Sequence, residues 1–233
     1  MSELINNQAH RIQTLKEVIL HLHRGEAPED VRGHLKALIS EVEASEIAAM
    51  EQQLMADGMS HEEVRSLCDL HADVLKEVMA KPCPSMPLPA GHPVQHFKAE
   101  NAALQQAIDA ARPSLSVIAQ MSDGETGTDA RLAILERFQP LMDVEKHYRR
   151  KEQLVFSVLE RHGTTGPSKV MWGKDDEVRE LLKAALLALR EETLCGAELK
   201  ILKETVFDPA LAALESMIYK EEHILLPMCQ GMF

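Results

Sequence analysis

The chain has 233 residues, 45% of them hydrophobic, enough for the core of one large domain or two small ones and too apolar for a disordered protein. Its formal charge of −12 at pH 7 leaves no basic face for a phosphate backbone and argues against nucleic acid as a partner. No apolar run is long enough to cross a bilayer, and Met1-Ser2-Glu3-Leu4 does not open a basic segment followed by an apolar one, so neither a membrane partner nor a secretory leader is expected.

Only 11 glycines are present, β-branched runs are few, and Ala, Leu, Glu, Met and Lys dominate, a helical composition. Cys68, Cys83, Cys195 and Cys229 are scattered with no C-x-x-C pair. Reduced thiols in a cytoplasmic protein are the expected reading. Cys83 is the thiol best placed for exposure, although an inert linker residue is the commoner case.

The first eighty or so residues read as a three-helix domain, residues 1–80. Ile12, Leu15, Ile19 and Leu22 share one helical face between His10 and Arg24, and Gly25 stops it. Pro28 sits at a helix start, where its missing N–H does no harm. Val31, Leu35, Leu38, Val42 and Ile47 carry the second face to about Ala56. Asp57-Gly58 is a turn, and Ser60-His61-Glu62-Glu63 is a capping box. The third helix then runs through Leu67, Leu70, Val74 and Val78.

Residues 81–91 hold Pro82, Pro84, Pro87 and Pro89; such a segment is extended and stiff, and marks a domain boundary. Beyond it, residues 92–233 predict four longer helices at about 93–121, 128–162, 173–194 and 197–229. Ser122 to Gly127 and His162 to Ser168 read as loops, and Gly196 marks a tight connection. Four long helices with short links predict an all-α, up-down-up-down four-helix bundle.

Each bundle helix carries a candidate metal ligand. His92 and His96 are four apart near the start of the first helix, although a histidine near a helix start is often only exposed. In the second, His147 and Glu152 are five apart, which in an α-helix separates them by roughly 140° of azimuth. They border the apolar stripe of Leu141, Val144, Tyr148, Val155, Leu159 and, at its edge, Leu154. Taken alone, this stretch reads as a solvated Arg/Lys/Glu patch.

Asp175 and Asp176 lie near the expected start of the third helix, where acids usually serve the helix dipole. The last helix offers Glu222 and His223. Lys151-Glu152-Gln153-Leu154-Val155-Phe156 and Glu221-Glu222-His223-Ile224-Leu225-Leu226 are near repeats, each setting a carboxylate beside an apolar run. A carboxylate there is costly to bury without a partner. Oxygen and imidazole donors suit iron, manganese or zinc. No phosphate-cradling loop, GxSxG elbow or HExxH offers a rival chemistry.

From about Gly91 to Phe233 the chain resembles the hemerythrin-like (HHE) cation-binding family. The segments that carry the resemblance are Gly91-His92-Pro93 with Phe97-Lys98-Ala99-Glu100-Asn101, and His147-Tyr148-Arg149-Arg150-Lys151-Glu152. Met171-Trp172 with Asp175-Asp176-Glu177-Val178-Arg179, and Lys220-Glu221-Glu222-His223-Ile224-Leu225-Leu226-Pro227-Met228, complete them. The N-terminal part is similar, through Leu67-Cys68-Asp69-Leu70-His71-Ala72, to a small helical domain of unknown function that often precedes this bundle.

The resemblance implies two non-haem irons, sometimes one ion or another metal, held by histidines and carboxylates, with an open position for dioxygen, nitric oxide or water. It favours His92, His147, Glu152 and Glu222 as ligands; His96, from its spacing to His92, and His223, beside Glu222, stand behind them. It places Asp175, with Asp176 adjacent, where the family commonly has histidine. The family's usual spacing after the second-helix histidine is four rather than five, and Met217 and Ile218 stand where a histidine is expected upstream of Glu222. The expected centre is therefore asymmetric and poor in histidine.

The leading expectation is a cytoplasmic protein that binds or senses dioxygen, nitric oxide or redox state, not an enzyme, working with a regulatory protein or as a homodimer. A metal-free interaction module is the second. A di-iron enzyme of nitric oxide or peroxide detoxification, or of iron-sulfur repair, ranks third because Tyr148 and Tyr219 are the only visible proton relays. His71 reads as a helix-surface residue before it reads as functional, and Trp172, the sole tryptophan, as a core anchor.

Overall fold

The computed structural model describes residues 10, 12–20, 44–60, 62–64, 88–230 and 232. The stretches Pro28 to Val42 and Leu67 to Val78, the linker prolines up to Pro87, and Cys68, His71 and Cys83 lie outside them. Among the described residues every regular element is a helix and there is no strand.

Residues 12–20 are helical. The further helices are α1 (Ala44–Ala56), α2 (Pro93–Ile118), α3 (Thr128–Phe138), α4 (Val144–Arg150), α5 (Phe156–Arg161), α6 (Gly166–Ala188), α7 (Gly196–Leu202), α8 (Asp208–Lys220) and α9 (Leu226–Cys229). A 3-10 turn at Pro140–Asp143 leads from α3 into α4. π-helical turns at Lys151–Val155, Lys203–Phe207 and Glu221–Leu225 join α4 to α5, α7 to α8 and α8 to α9. The four expected bundle helices are present in this interrupted form. The third starts at Gly166 instead of 173, because Gly163 at φ +82° ends α5 and Pro167, with its φ preset, opens the next helix at once.

The chain falls into two compact units. The first gathers the described parts of Met1–Val94 with Glu152–Gly173 and Tyr219–Phe233. Its core is Leu15, Ile19, Ile47, Met50, Leu54, Val64 and Val170, and Tyr219 and Ile224 pack against it. Each fully buried Leu or Ile there stabilises the unit by about 1.5–3 kcal/mol. α1 packs on the Glu221–Leu225 turn and on α9.

The expected capping box is present: the Ser60 N–H donates to Glu63 Oε2 (2.9 Å) and the Glu63 N–H to Ser60 Oγ (3.2 Å). Trp172 departs from expectation. It is 49% exposed, with Phe156 6.3 Å away between ring centroids, because the earlier start of α6 places it inside a helix instead of at a loop anchor.

Cys229, on α9, has no exposure, and burial pushes its thiol up to about 12. The thiolate is the reactive form, so Cys229 is expected to stay unmodified by iodoacetamide in the native protein at pH 8. It should label fully in guanidinium, as read by peptide mass spectrometry. Native labelling at the rate of the unfolded protein would contradict its burial.

The second unit comprises Gln95–Lys151 and Lys174–Ile218. On α2, Phe97, Asn101, Leu104, Ile108, Ala111, Leu115 and Ile118 are all buried, the alternating four-and-three spacing of a coiled-coil stripe. Val178, Leu182 and Ala185 repeat it on α6, and Ile134, Phe138, Leu141, Val144 and Tyr148, spaced by three or four, are buried along α3, the 3-10 turn and α4. Phe138 and Phe207 meet at 5.4 Å between ring centroids. Val155 and Leu159, in the first unit, are buried as expected, but Leu154 is 56% exposed.

At one end of the second unit the loop before α3 pairs with the loop before α7. Thr126 and Cys195 form an isolated antiparallel bridge. The Gly127 N–H donates to Leu194 O (2.9 Å), Gly196 to Glu125 O (2.9 Å) and Ala197 to Asp123 O (3.0 Å). A Cβ on Gly196 would lie 2.2 Å from Ser122 O, which explains the glycine that the sequence marks as a tight connection.

Candidate metal centre

His147 lies on α4 with 3% exposure. Its Nδ1 is 2.7 Å from Glu100 Oε2 on α2, and Glu100 Oε1 accepts from Arg150 Nη2 at 2.6 Å. Phe97 and the imidazole form a T-shaped pair, 5.4 Å between centroids. One of the two ring nitrogens is therefore already oriented by a carboxylate, the arrangement that fixes an imidazole's tautomer.

Lys151 and Asp175 are completely buried, and Nζ donates to Asp175 Oδ1 at 2.6 Å. The ammonium also lies 4.2 Å from the centroid of the Tyr148 ring, and the Arg179 guanidinium is 5.5 Å from the same ring. Both contacts are cation–π in geometry. This corrects two expectations. The stretch from His147 to Glu152 is not a solvated patch, since His147, Lys151 and Glu152 are all buried. Nor are Asp175 and Asp176 in a first helical turn, so the helix dipole does not account for them.

Asp176 is 61% exposed at the side chain and accepts from Arg179 Nη1 at 2.8 Å. Arg179 Nε donates to Glu145 Oε2 and Arg149 Nε to Glu145 Oε1, each at 2.6 Å. The Arg179 bond first, and then Arg149, hold the Glu145 carboxyl below the usual carboxylate range. A lowered carboxylate contributes stability above its unfolded value and loses it as pH falls through its folded value. Glu145→Gln is expected to cost about 1 kcal/mol or less at pH 7, with the difference from wild type vanishing on acidification. Urea midpoints of both proteins across acid pH would check this.

The remaining candidates belong to the first unit, except His96, which is exposed on α2. His92 caps α2: its Nδ1 accepts the Val94 N–H at 3.2 Å. Glu152 is buried, at 9% exposure. Glu222 and His223 are half-buried. The His223 ring stacks on Tyr219 at 4.0 Å and its Nδ1 is 2.9 Å from the Tyr219 carbonyl. Burial pushes the Tyr219 phenol up to about 12, so it stays neutral through the physiological range.

The two near-repeats of sequence adopt one backbone form. Both enter a π turn at their first residue, Lys151 and Glu221, and return to α-helix at their sixth, Phe156 and Leu226. A π turn absorbs one extra residue and is frequent at functional sites. Lys151 and Glu152 are adjacent yet both buried. In the second copy the buried acid is Glu221, at 1% exposure, not Glu222 alone, and Lys220 beside it is 4% exposed.

Sequence reasoning missed Glu100, Asn101, Lys151 and Glu221. Asn101 was legible, as the polar member of an otherwise apolar stripe. It has no exposure, and neither its amide nitrogen nor its oxygen has a hydrogen-bond partner.

Within the second unit Glu100 engages His147 through Nδ1, and Lys151 engages Asp175. No group of three or more His, Cys, Asp or Glu side chains able to hold a metal occurs among the described residues. The orphaned Asn101 amide is a polar group still lacking a partner, but one amide does not make a metal site.

Compared with known families, residues 15–81 match a family of unknown function (DUF438). Comparison with curated proteins and with solved structures found no match. Residues 92–229 match the hemerythrin HHE cation binding domain. That match covers more than half of an all-helical chain, and the chain belongs to the hemerythrin HHE cation-binding family.

Proposed function

We propose that this helical cation-binding protein is regulatory. It takes up a non-haem metal, iron before manganese or zinc, as one ion rather than two, and reports dioxygen, nitric oxide or redox state to a partner protein or a second copy of itself in the cytoplasm. The ligands carried over by resemblance are His92, His147, Glu152 and Glu222. Asp175 is set aside because Lys151 holds it, and Asp176 because it is exposed on Arg179.

One observation carries the regulatory part. The Glu221–Leu225 turn holds Glu221 and Glu222, and its Ile224 packs on the core shared with Leu15, Ile47 and Leu54. A change in the charge balance at these carboxylates thus acts on the packing of the N-terminal helices, a route from cation to output. A metal-free interaction module is the second reading, favoured by the Lys151–Asp175 pair. The enzyme reading ranks below both, because the sequence offers no clear proton relay beyond Tyr148 and Tyr219.

Bound metal, measured by mass spectrometry after expression with added iron, tests the reading. Less than about a tenth of an equivalent would refute it. With metal bound, Glu152→Ala is expected to lose most of it. Hydrogen exchange in residues 44–56 should then differ between loaded and chelator-treated protein; identical exchange would remove the regulatory route.

A further inference from the structure

Two features single out Lys151. Its side chain and that of Asp175 have no exposure at all, with 2.6 Å between Nζ and Oδ1. Charges so deeply buried persist only when paired and well bonded, and here the ammonium also faces the Tyr148 ring. The second feature is position. Lys151 stands four residues after His147, the spacing at which the resemblance implies a carboxylate, while Asp175 stands where it implies a histidine. The π turn that opens at Lys151 absorbs one residue, consistent with Glu152 following His147 at five. Asp175, at a position the resemblance implies as a metal donor, is thus bonded to the lysine that directly precedes the implied donor Glu152.

A protonated ammonium has no lone pair to offer a metal. It does supply what a metal would supply to Asp175, a positive charge at bonding distance. We propose that Lys151 is a built-in cation that keeps Asp175 out of any metal shell, and so limits how much divalent metal the chain takes up. The inference rests on the reading that metal enters through the family's helix positions.

The test loads the full chain anaerobically with Fe(II), and separately with Zn(II), removes excess metal, and counts metal per folded chain, with circular dichroism as the check on folding. Asp175→Asn is expected to leave loading at the wild-type level, since Asp175 is already engaged. Lys151→Glu is expected to raise loading about twofold or more, with a melting temperature that rises on metal addition. Lys151→Gln, neutral and of similar length, covers the case in which Lys151→Glu fails to fold; it removes the ammonium from Asp175 and should also load above wild type.

Loss of half or more of the wild-type metal in Asp175→Asn would overturn the proposal, as would folded Lys151→Gln and Lys151→Glu loading no more than wild type. Failures of the two readings are distinguishable. Wild type without metal alongside a loading Lys151→Glu variant removes the metal-binding function and upholds the role of Lys151. Wild-type metal that Glu152→Ala abolishes, with Lys151 variants at the wild-type level, removes the role of Lys151 alone.

Discussion

Lys151→Met is expected to destabilise the protein by about 3–5 kcal/mol, because it removes the ammonium bonded to the buried Asp175 carboxylate. Asp175 has no exposure through which water could replace the ammonium, and the methionine keeps most of the lysine's volume, so a cavity adds little. The double variant Lys151→Met/Asp175→Leu should recover most of the loss, since an apolar pair is often as stable as a buried ion pair. Urea unfolding of wild type, both singles and the double gives the coupling directly. A loss below about 1 kcal/mol in Lys151→Met would mean that the pair is solvated, as a surface pair is.

Gly196→Ala is expected to cost about 3 kcal/mol or more, at the upper end of what overpacking does. The new Cβ would meet Ser122 O at 2.2 Å. That oxygen is backbone, so no rotamer change relieves the clash. The loops must part instead, and the hydrogen bonds from Gly196 to Glu125 and from Ala197 to Asp123 go with them. A thermal melt suffices as the measurement, and a variant within one degree of wild type would show that the two loops are not held together in solution. Gly124→Ala in the same loop is the control, because a Cβ there meets nothing within 4 Å.

Much of the fold was legible because it obeys one period. The stripe Leu141, Val144, Tyr148, Val155 and Leu159, the Ser60–Glu63 box and the start of α2 at Pro93 follow from residue type and spacing alone. What escaped is where the period changes. At about 100° per residue, His147 and Glu152 diverge and Lys151 reads as surface. A π turn breaks that count, and nothing in Lys151-Glu152-Gln153 announces one. For the same reason the burial of Glu221 and the exposure of Leu154 escape the count.

Partners were harder still. Glu100 and His147 lie 47 residues apart and Lys151 and Asp175 lie 24 apart, so each pairing exists only once helices have packed. Residue type suggested donors for a metal; it could not reveal that Asp175 is already bonded to a buried lysine.

The core that joins Leu15, Ile47 and Leu54 to Val170, with Tyr219 and Ile224 against it, sets an order of events during synthesis. The first helices leave the ribosome long before their covering residues are made. Until Ile224 emerges, the N-terminal apolar faces stay partly uncovered, in the state where nascent chains rely on holding factors and are most open to proteolysis. A segment made well before Ile224 is thus finished only with it.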